Sequence, residues 1–360
     1  MSESPFVLWF DELDRSCLAQ VGGKNASLGE LTKAGIRVPP GFAVTTEAYQ
    51  AFLDQSDIRD EISRLLAPLH PDDIPAVEAA SRAIRPLMSS VPVPDEITEA
   101  IRKAYIDLVE RIGVDDLPVA VRSSATAEDL PGASFAGQQD TYLWVQGAGH
   151  VLIRTLVCWS SLFTPRAIIY RMQMGFPHDK VLISVGVQKM ANARAAGVMF
   201  TLNPLNGDRT KIAINANWGL GETVVAGEVT PDEYWVDKVT LEIVQRTISP
   251  KMVECLPDPH LQEVTLVPVP PERQTQPCMT DQEVVELARL GKRIERHYGQ
   301  PQDIEWAVDQ DLLFPKNVVI LQSRPETVWS QKQSTPILRP QEKPQDYVVN
   351  YLLGRLEKRK

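Results

Sequence analysis

The chain reads as an α+β protein with its helices gathered early and its strands later. Three observations carry this expectation. Apolar residues recur at three- and four-residue spacing through 48–115, and short runs rich in β-branched and aromatic residues take over from 117. A last helical period at 281–297 then precedes two further strands, which places helices and a mixed sheet in one chain. The 360 residues hold 43% apolar and 23% charged side chains, a globular balance with material for about two domains at ~150 residues each.

The elements follow in order. Helical spacing runs through AYQAFL, EISRLLAPL, AVEAASRAIRPLM and EITEAIRKAYIDLVERIG, with proline-containing breaks at 68–75 and 91–94. The strand-like runs are PVAVRSS, DTYLWV, KVLISVGVQKM, AGVMFTLNP, KIAINANWG, EYWVDK and LEIVQRTI. VPVPPERQTQP at 267–277 reads as a linker, and EVVELARLGKRIERH as the late helix. DIEWAVD and NVVILQSR are two strands joined by the turn-like QDLLFPK. The polar, proline-containing segment 331–345 leads to DYVVNYLLGRLEKRK, whose Tyr347, Leu352 and Leu353 suggest a short amphipathic docking helix or a loosely attached one.

Composition excludes several classes. A formal net charge of −10 argues against nucleic acid or an anionic membrane as the main partner, because both need clustered basic charge. It leaves room for a local basic pocket. The four cysteines form no CxxC pair, so neither a zinc site nor a disulfide framework is expected. The opening MSESPFVLWFDELDR has no basic n-region, and no stretch approaches the ~18 apolar residues of a membrane span. A soluble, cytoplasmic chain is the expectation. Pro (28) outnumbers Gly (20), so many connections should be stiff.

Four constellations could carry chemistry. In VGGKNASLGEL at 21–31, two glycines allow close backbone approach and Lys24 opens a helix whose dipole favours an anion. It is no P-loop, since Leu18 and Asn25 stand where Gly and Ser or Thr are required; a Gly turn with a solvated lysine fits equally well. In VAVRSSATAEDLPGASFAGQQDT at 119–141, a strand delivers Arg122 and a small-residue loop follows. Such a loop either wraps phosphates with its amides or is a plain surface loop. VQKM at 187–190 offers a strand edge beside Gln188 and Met190 that suits a purine, as many buried strands would.

The fourth constellation says most. Asp303 and Glu305 share one face of a strand, Gln322 and Arg324 one face of the next, and a hairpin-like loop separates them. Two carboxylates and an amide oxygen are hard ligands suited to Mg²⁺, with Arg324 balancing phosphate charge. The other reading is a solvated strand pair carrying a surface ion pair.

Taken together and in this order, GGKNASLGEL, PPGFAVTTEAY, AVRSSATAEDLPGASFAGQQDT, GVMFTLNP, NWGLGE and DIEWA with LQSRP resemble the N-terminal ATP-binding domain of the phosphoenolpyruvate synthase and pyruvate phosphate dikinase family, which rifampin phosphotransferase shares. The resemblance covers roughly 8–330. It implies an ATP-grasp fold with Mg²⁺ and ATP between two subdomains of mixed or antiparallel sheets and flanking helices, drawn here as 1–190 with a helical insertion and 191–330, followed by a linker and tail helix at 331–360. It further implies that Lys24, Arg122 and Arg324 act on the triphosphate, with Gly132, Ser134 and Gly137 beside it. Gln188, Lys189 and Met190 would meet adenine, and Glu305 and Gln322, with Asp303 nearby, would hold magnesium.

Family enzymes continue into a swivelling domain with a phosphorylatable histidine. The five histidines here, His70, His150, His178, His260 and His297, sit in no such motif. The chain is therefore expected to work with a separate subunit that carries the histidine and the acceptor site. In that respect it resembles the nucleotide-binding subunit of phenylphosphate synthase, with phenol as acceptor and AMP and phosphate released. Two alternatives stand beside it: the ATP domain of a pyruvate or rifampin phosphotransferase, and a non-catalytic nucleotide sensor.

Overall fold

The computed structural model describes residues 5–126, 141–258 and 263–329, and residues up to Glu326 form one compact unit. Two antiparallel sheets dominate it. The first takes its strands in the order β1 (Val7–Trp9), β2 (Gly41–Val44), β5 (Ile183–Lys189), β3 (Val119–Ala125), β4 (Thr141–Val145). The second runs β13 (Val318–Pro325), β12 (Gln302–Asp309), β6 (Ala193–Phe200), β7 (Lys211–Trp218), β8 (Asp232–Asp237), β9 (Ile243–Thr247). Of the mixed or antiparallel sheets expected, the structure has antiparallel ones: every strand pairing among the described residues is antiparallel, a lone parallel Gly219–Cys255 bridge apart. The chain passes from one sheet to the other through 190–192.

The early helices fall where their spacing puts them: α2 (Thr46–Gln55), α3 (Arg59–Leu66), α4 (Ile74–Ser90) and α5 (Asp95–Ile112). Their apolar stripes, including Phe52, Ile84, Met88, Ile101 and Leu108, join Val121 and Val185 of the first sheet in one core. Two further helices, α6 (Ala148–Ser160) and α7 (Pro165–Gln173), join that core and are absent from the expected elements. Helix α6 is rich in Val, Ile and Thr, residues of modest helix propensity, which blurs its signal. Helix α10 (Asp281–Tyr298) covers the second sheet, packing Leu287 and Ile294 against Ile304 and Trp306. It starts with a reciprocal Thr280–Glu283 capping box and ends at left-handed Gly299. Among the described residues no single helix is long and apolar enough to cross a membrane.

The supposed linker at 267–277 is packed structure. Strand β11 (Glu263–Pro268) pairs with β10 (Val253–Asp258), and a turn of helix, α9 (Pro271–Gln274), follows. Val269 is buried, its N–H donates to the Met252 carbonyl, and the Gln274 carbonyl accepts from the Lys251 N–H. Proline opens α9, where no intrahelical donor is required, so proline density there marks a tight path and not a free one. The suggested tail helix lies outside the described residues.

Helix α1 (Leu18–Lys33) lies against β3 and β5 of the first sheet and β13 of the second. The Asn25 amide donates to the Val21 carbonyl and to Ser184 Oγ on β5, while Ser27 Oγ donates to the Ser323 carbonyl on β13. Beyond its end, Arg37 Nε donates to the Val318 carbonyl and the Arg37 carbonyl accepts from Ile320 N–H.

Candidate functional site

A cavity of about 400 Å³ opens where the two sheets meet, within the size range of small-ligand pockets. Its lining gathers Lys24, Arg122, Gln188, Lys189, Met190, Glu305, Gln322 and Arg324, from five elements or their edges. Four of its side chains are cationic (Lys24, Arg122, Lys189, Arg324) and two anionic (Glu222, Glu305). A chain of net charge −10 thus presents a basic concavity, which suits an anionic ligand.

Lys24 is set in place by a break in α1. Gly22 adopts φ 70° and ψ 170°, a conformation open to glycine and costly for other residues. A Cβ there would meet the Ser124 carbonyl oxygen and Oγ at 2.4 Å, so the turn presses on the end of β3. The regular helix resumes beyond it, and Lys24 Nζ donates to the Ser123 carbonyl at 3.4 Å. Arg122, on the same strand, reaches across to the second sheet. Its Nη1 lies 3.5 Å from Glu305 Oε2 and 3.4 Å from the Leu321 carbonyl, while its Nε is buried with no hydrogen-bond partner.

The register of β12 and β13 sets Glu305 opposite Gln322 and Asp303 opposite Arg324. A bulge follows: the pairing jumps from Glu305–Gln322 to Trp306–Ile320, leaving Leu321 unpaired with its carbonyl toward Arg122. Asp303 departs from expectation. It does not line the cavity, and Arg324 takes up its carboxylate through Nε at 2.8 Å and Nη2 at 2.7 Å. Burial raises the Asp303 pKa, against the lowering effect of Arg324. Of the expected metal set, the carboxylate of Glu305 and the amide of Gln322 therefore remain as cavity oxygens suited to a hard divalent cation that takes its other ligands from phosphate and water.

The expected strand edge at 187–190 is a strand interior. β5 lies between β2 and β3, and the N–H groups of Lys189 and Met190 donate to the carbonyls of Pro40 and Pro118. Gln188 Nε2 is engaged as well, donating to the Pro39 carbonyl at 3.4 Å. What this segment gives the cavity is its apolar surface. Met190, Ala120, Ala193, Ala196 and Leu220 form a small cluster there, and their modest size leaves room for a flat ring. Lys189 Nζ lies 3.6 Å from the buried Asp309 and donates to the Met190 carbonyl.

Gly132, Ser134 and Gly137 lie outside the described residues. Thr141 and Glu222 belong to the quoted segments AVRSSATAEDLPGASFAGQQDT and NWGLGE but are not singled out there as site residues, and sequence reasoning missed Leu143 and the alanines of the wall, which carry no chemical signature in a linear reading. Of the histidines, His70, His150, His178 and His297 line none of this cavity, and His260 is not among the described residues.

With this geometry in view, comparison with known proteins identifies the family. Residues 18–345 match the family described as pyruvate phosphate dikinase, AMP/ATP-binding domain. The chain belongs to that family. It is 47% identical over 349 residues to the probable phosphoenolpyruvate synthase of Staphylothermus marinus, covering 91% of this chain and 42% of that protein. It is 44% identical over 359 residues to the phosphoenolpyruvate synthase of Pyrococcus furiosus (89% and 44%), and 44% identical over 348 residues to that of Aquifex aeolicus (92% and 40%). The chain thus spans less than half the length of these relatives. Membership makes this an ATP-binding domain of the phosphoenolpyruvate synthase family. The relatives' names favour the pyruvate-side alternative over the phenylphosphate synthase expectation.

Proposed function

We propose that this chain is the ATP-activating part of a phosphoenolpyruvate synthase, an ATP-grasp unit with subdomains 1–190 and 191–330 that holds Mg·ATP in the cleft between its sheets. The observation that supports it best is Arg122 and Lys24 on one wall facing Glu305, Gln322 and Arg324 on the other, with an apolar ring-sized recess beside them. Glu305 and Gln322 would hold magnesium, which when bound neutralises phosphate charge and orients the chain of phosphates. Lys24, Arg122 and Arg324 hold the phosphate oxygens, and Met190, Leu220 and the wall alanines enclose adenine.

The chemistry follows from this positioning. A histidine nitrogen attacks the β-phosphorus, the bond between the α,β-bridging oxygen and that phosphorus breaks, and AMP leaves. Water then releases the γ-phosphate, the methyl group of pyruvate loses a proton to a base of the acceptor site, and the remaining phosphoryl passes from the histidine to the resulting enolate oxygen. This chain's share is orientation and charge neutralisation. None of the four described histidines reaches the cavity, so we place the carrier histidine and acceptor site on a partner, as a separate subunit or further domain.

The test is [β-³²P]ATP with the chain, magnesium and the histidine-bearing partner. The label is expected on the partner, with phosphoenolpyruvate formed from pyruvate and AMP released. Lys24→Ala should cut the rate more than tenfold, since a charge-assisted contact is worth ~1.5–3 kcal/mol. Stable label on a histidine of this chain, or phenyl phosphate formed from phenol in preference to phosphoenolpyruvate, would overturn the reading.

A further inference from the structure

A second cavity, of about 270 Å³, shares no lining residue with the first. Leu53 of α2, Ile62 and Leu66 of α3, Phe163 and Val181 give it apolar walls, and His178 supplies a polar one. Arg171 of α7 stands behind that wall with 1% of its surface exposed. Its Nε donates to His178 Nδ1 at 2.9 Å, and its guanidinium carbon lies 5.8 Å from the centre of the Phe163 ring. Its Nη1 and Nη2 have no hydrogen-bond partner. No carboxylate among the described residues forms an ion pair with it. A buried cation with open donors and no counter-charge is costly, and an anion within its field offsets that cost.

The imidazole transmits this charge to the cavity. Burial and the neighbouring Arg171 push the His178 pKa down to about 4, so the ring is neutral near pH 7, while Arg171, lowered by burial to about 10, stays charged. With Nδ1 accepting from Arg171, the ring proton sits on Nε2, making His178 a hydrogen-bond donor. Tyr49, buried beside Arg171, adds a hydroxyl to the lining, and the other polar groups are already engaged. Arg59 pairs with Asp54 and donates to the Gln50 carbonyl, Ser63 Oγ donates to the Arg59 carbonyl, and Asp179 lies beside Lys180 at 3.5 Å. The walls are mostly apolar and Asp179 stands at the cavity, which disfavours a bare dianion such as phosphate.

We propose that this cavity is a binding site for a small organic carboxylate, whose charged end accepts from His178 backed by Arg171 and whose apolar body lies against Leu53, Ile62 and Leu66. It is separate from the ATP cleft and does not depend on the reading given above.

Titration calorimetry with butyrate, benzoate, neutral butyramide and inorganic phosphate tests it, with nucleotide affinity and thermal melting as controls. One of the carboxylates is expected to bind, with butyramide at least about tenfold weaker, as loss of a charge-assisted bond implies. His178→Phe, which keeps the bulk and removes the donor, should lose about tenfold in carboxylate affinity with nucleotide affinity kept; its melting temperature should fall, because Arg171 Nε loses its acceptor. His178→Gln, which restores an N–H donor, should recover most of it. No carboxylate binding by concentrations on the order of 10 mM, equal binding of butyramide or phosphate, or undiminished binding in His178→Phe would overturn the proposal.

Discussion

Asp232 and Lys251 meet at 2.6 Å with neither side chain exposed, whereas Arg122 and Glu305 stand 3.5 Å apart on the wall of a cavity. Around the first pair the polar groups are closed off. Asp232 also accepts from the N–H groups of Ser249 and Cys278, and Lys251 also donates to the Ser249 carbonyl. Around the second pair, Arg122 Nε has no partner, and Glu305 lies 29% exposed. Both are oppositely charged pairs in one compact unit, yet one is saturated by its own chain and the other is open to an added ligand. Saturation, more than charge, separates a pair that holds the fold from one that can meet a substrate.

The contrast can be broken at its strong end first. Lys251→Met should lower unfolding free energy by about 3–5 kcal/mol, because it leaves Asp232 buried without its cation. Nucleotide affinity should stay unchanged in the folded fraction; denaturant titration and nucleotide calorimetry measure the two. A loss below about 1 kcal/mol would mean that backbone N–H donors alone suffice for Asp232.

At the open end the pattern should reverse. Glu305→Gln should weaken magnesium-dependent ATP binding more than tenfold and leave the melting temperature nearly unaltered, since the amide keeps an oxygen but loses the charge a hard cation needs. Near-normal affinity at low magnesium would make Glu305 a structural strand residue. The smallest effect sharpens the comparison: a double-mutant cycle of Arg122→Met with Glu305→Gln should give a coupling to stability below about 1 kcal/mol in the free protein. A coupling approaching that of a buried pair would erase the distinction.

Much of the cleft was legible in the sequence because it depends on spacing along strands. Asp303, Glu305, Gln322 and Arg324 alternate by two, and the structure sets them in facing pairs. The helices at 46–112 were equally plain, since amphipathic spacing is a local signal. What escaped depends on neighbours far along the chain. Whether the 187–190 strand is an edge is decided by β2 and β3, whose hydrogen bonds no local pattern announces. The capture of Asp303 by Arg324, at the expense of the cavity, depends on side-chain reach across a register. Helix α6 hid behind its β-branched residues, and the packed turn at 271–274 hid behind its prolines.

Helix α1 is stitched to one sheet through Asn25 and to the other through Ser27, only two positions apart. The covalent crossing at 190–192 and the hydrogen bonds of Arg37 to Val318 and Ile320 join the halves as well. The line from α1 to that crossing can serve as an axle. A rotation of one sheet against the other would turn about it, moving parts in proportion to their distance from the line. Lys24, one residue from Asn25, would scarcely travel, while the gap between Arg122 and Glu305 would change with the angle. Lys24 is then a fixed post and the Arg122–Glu305 separation a gauge of how far the jaws have swung.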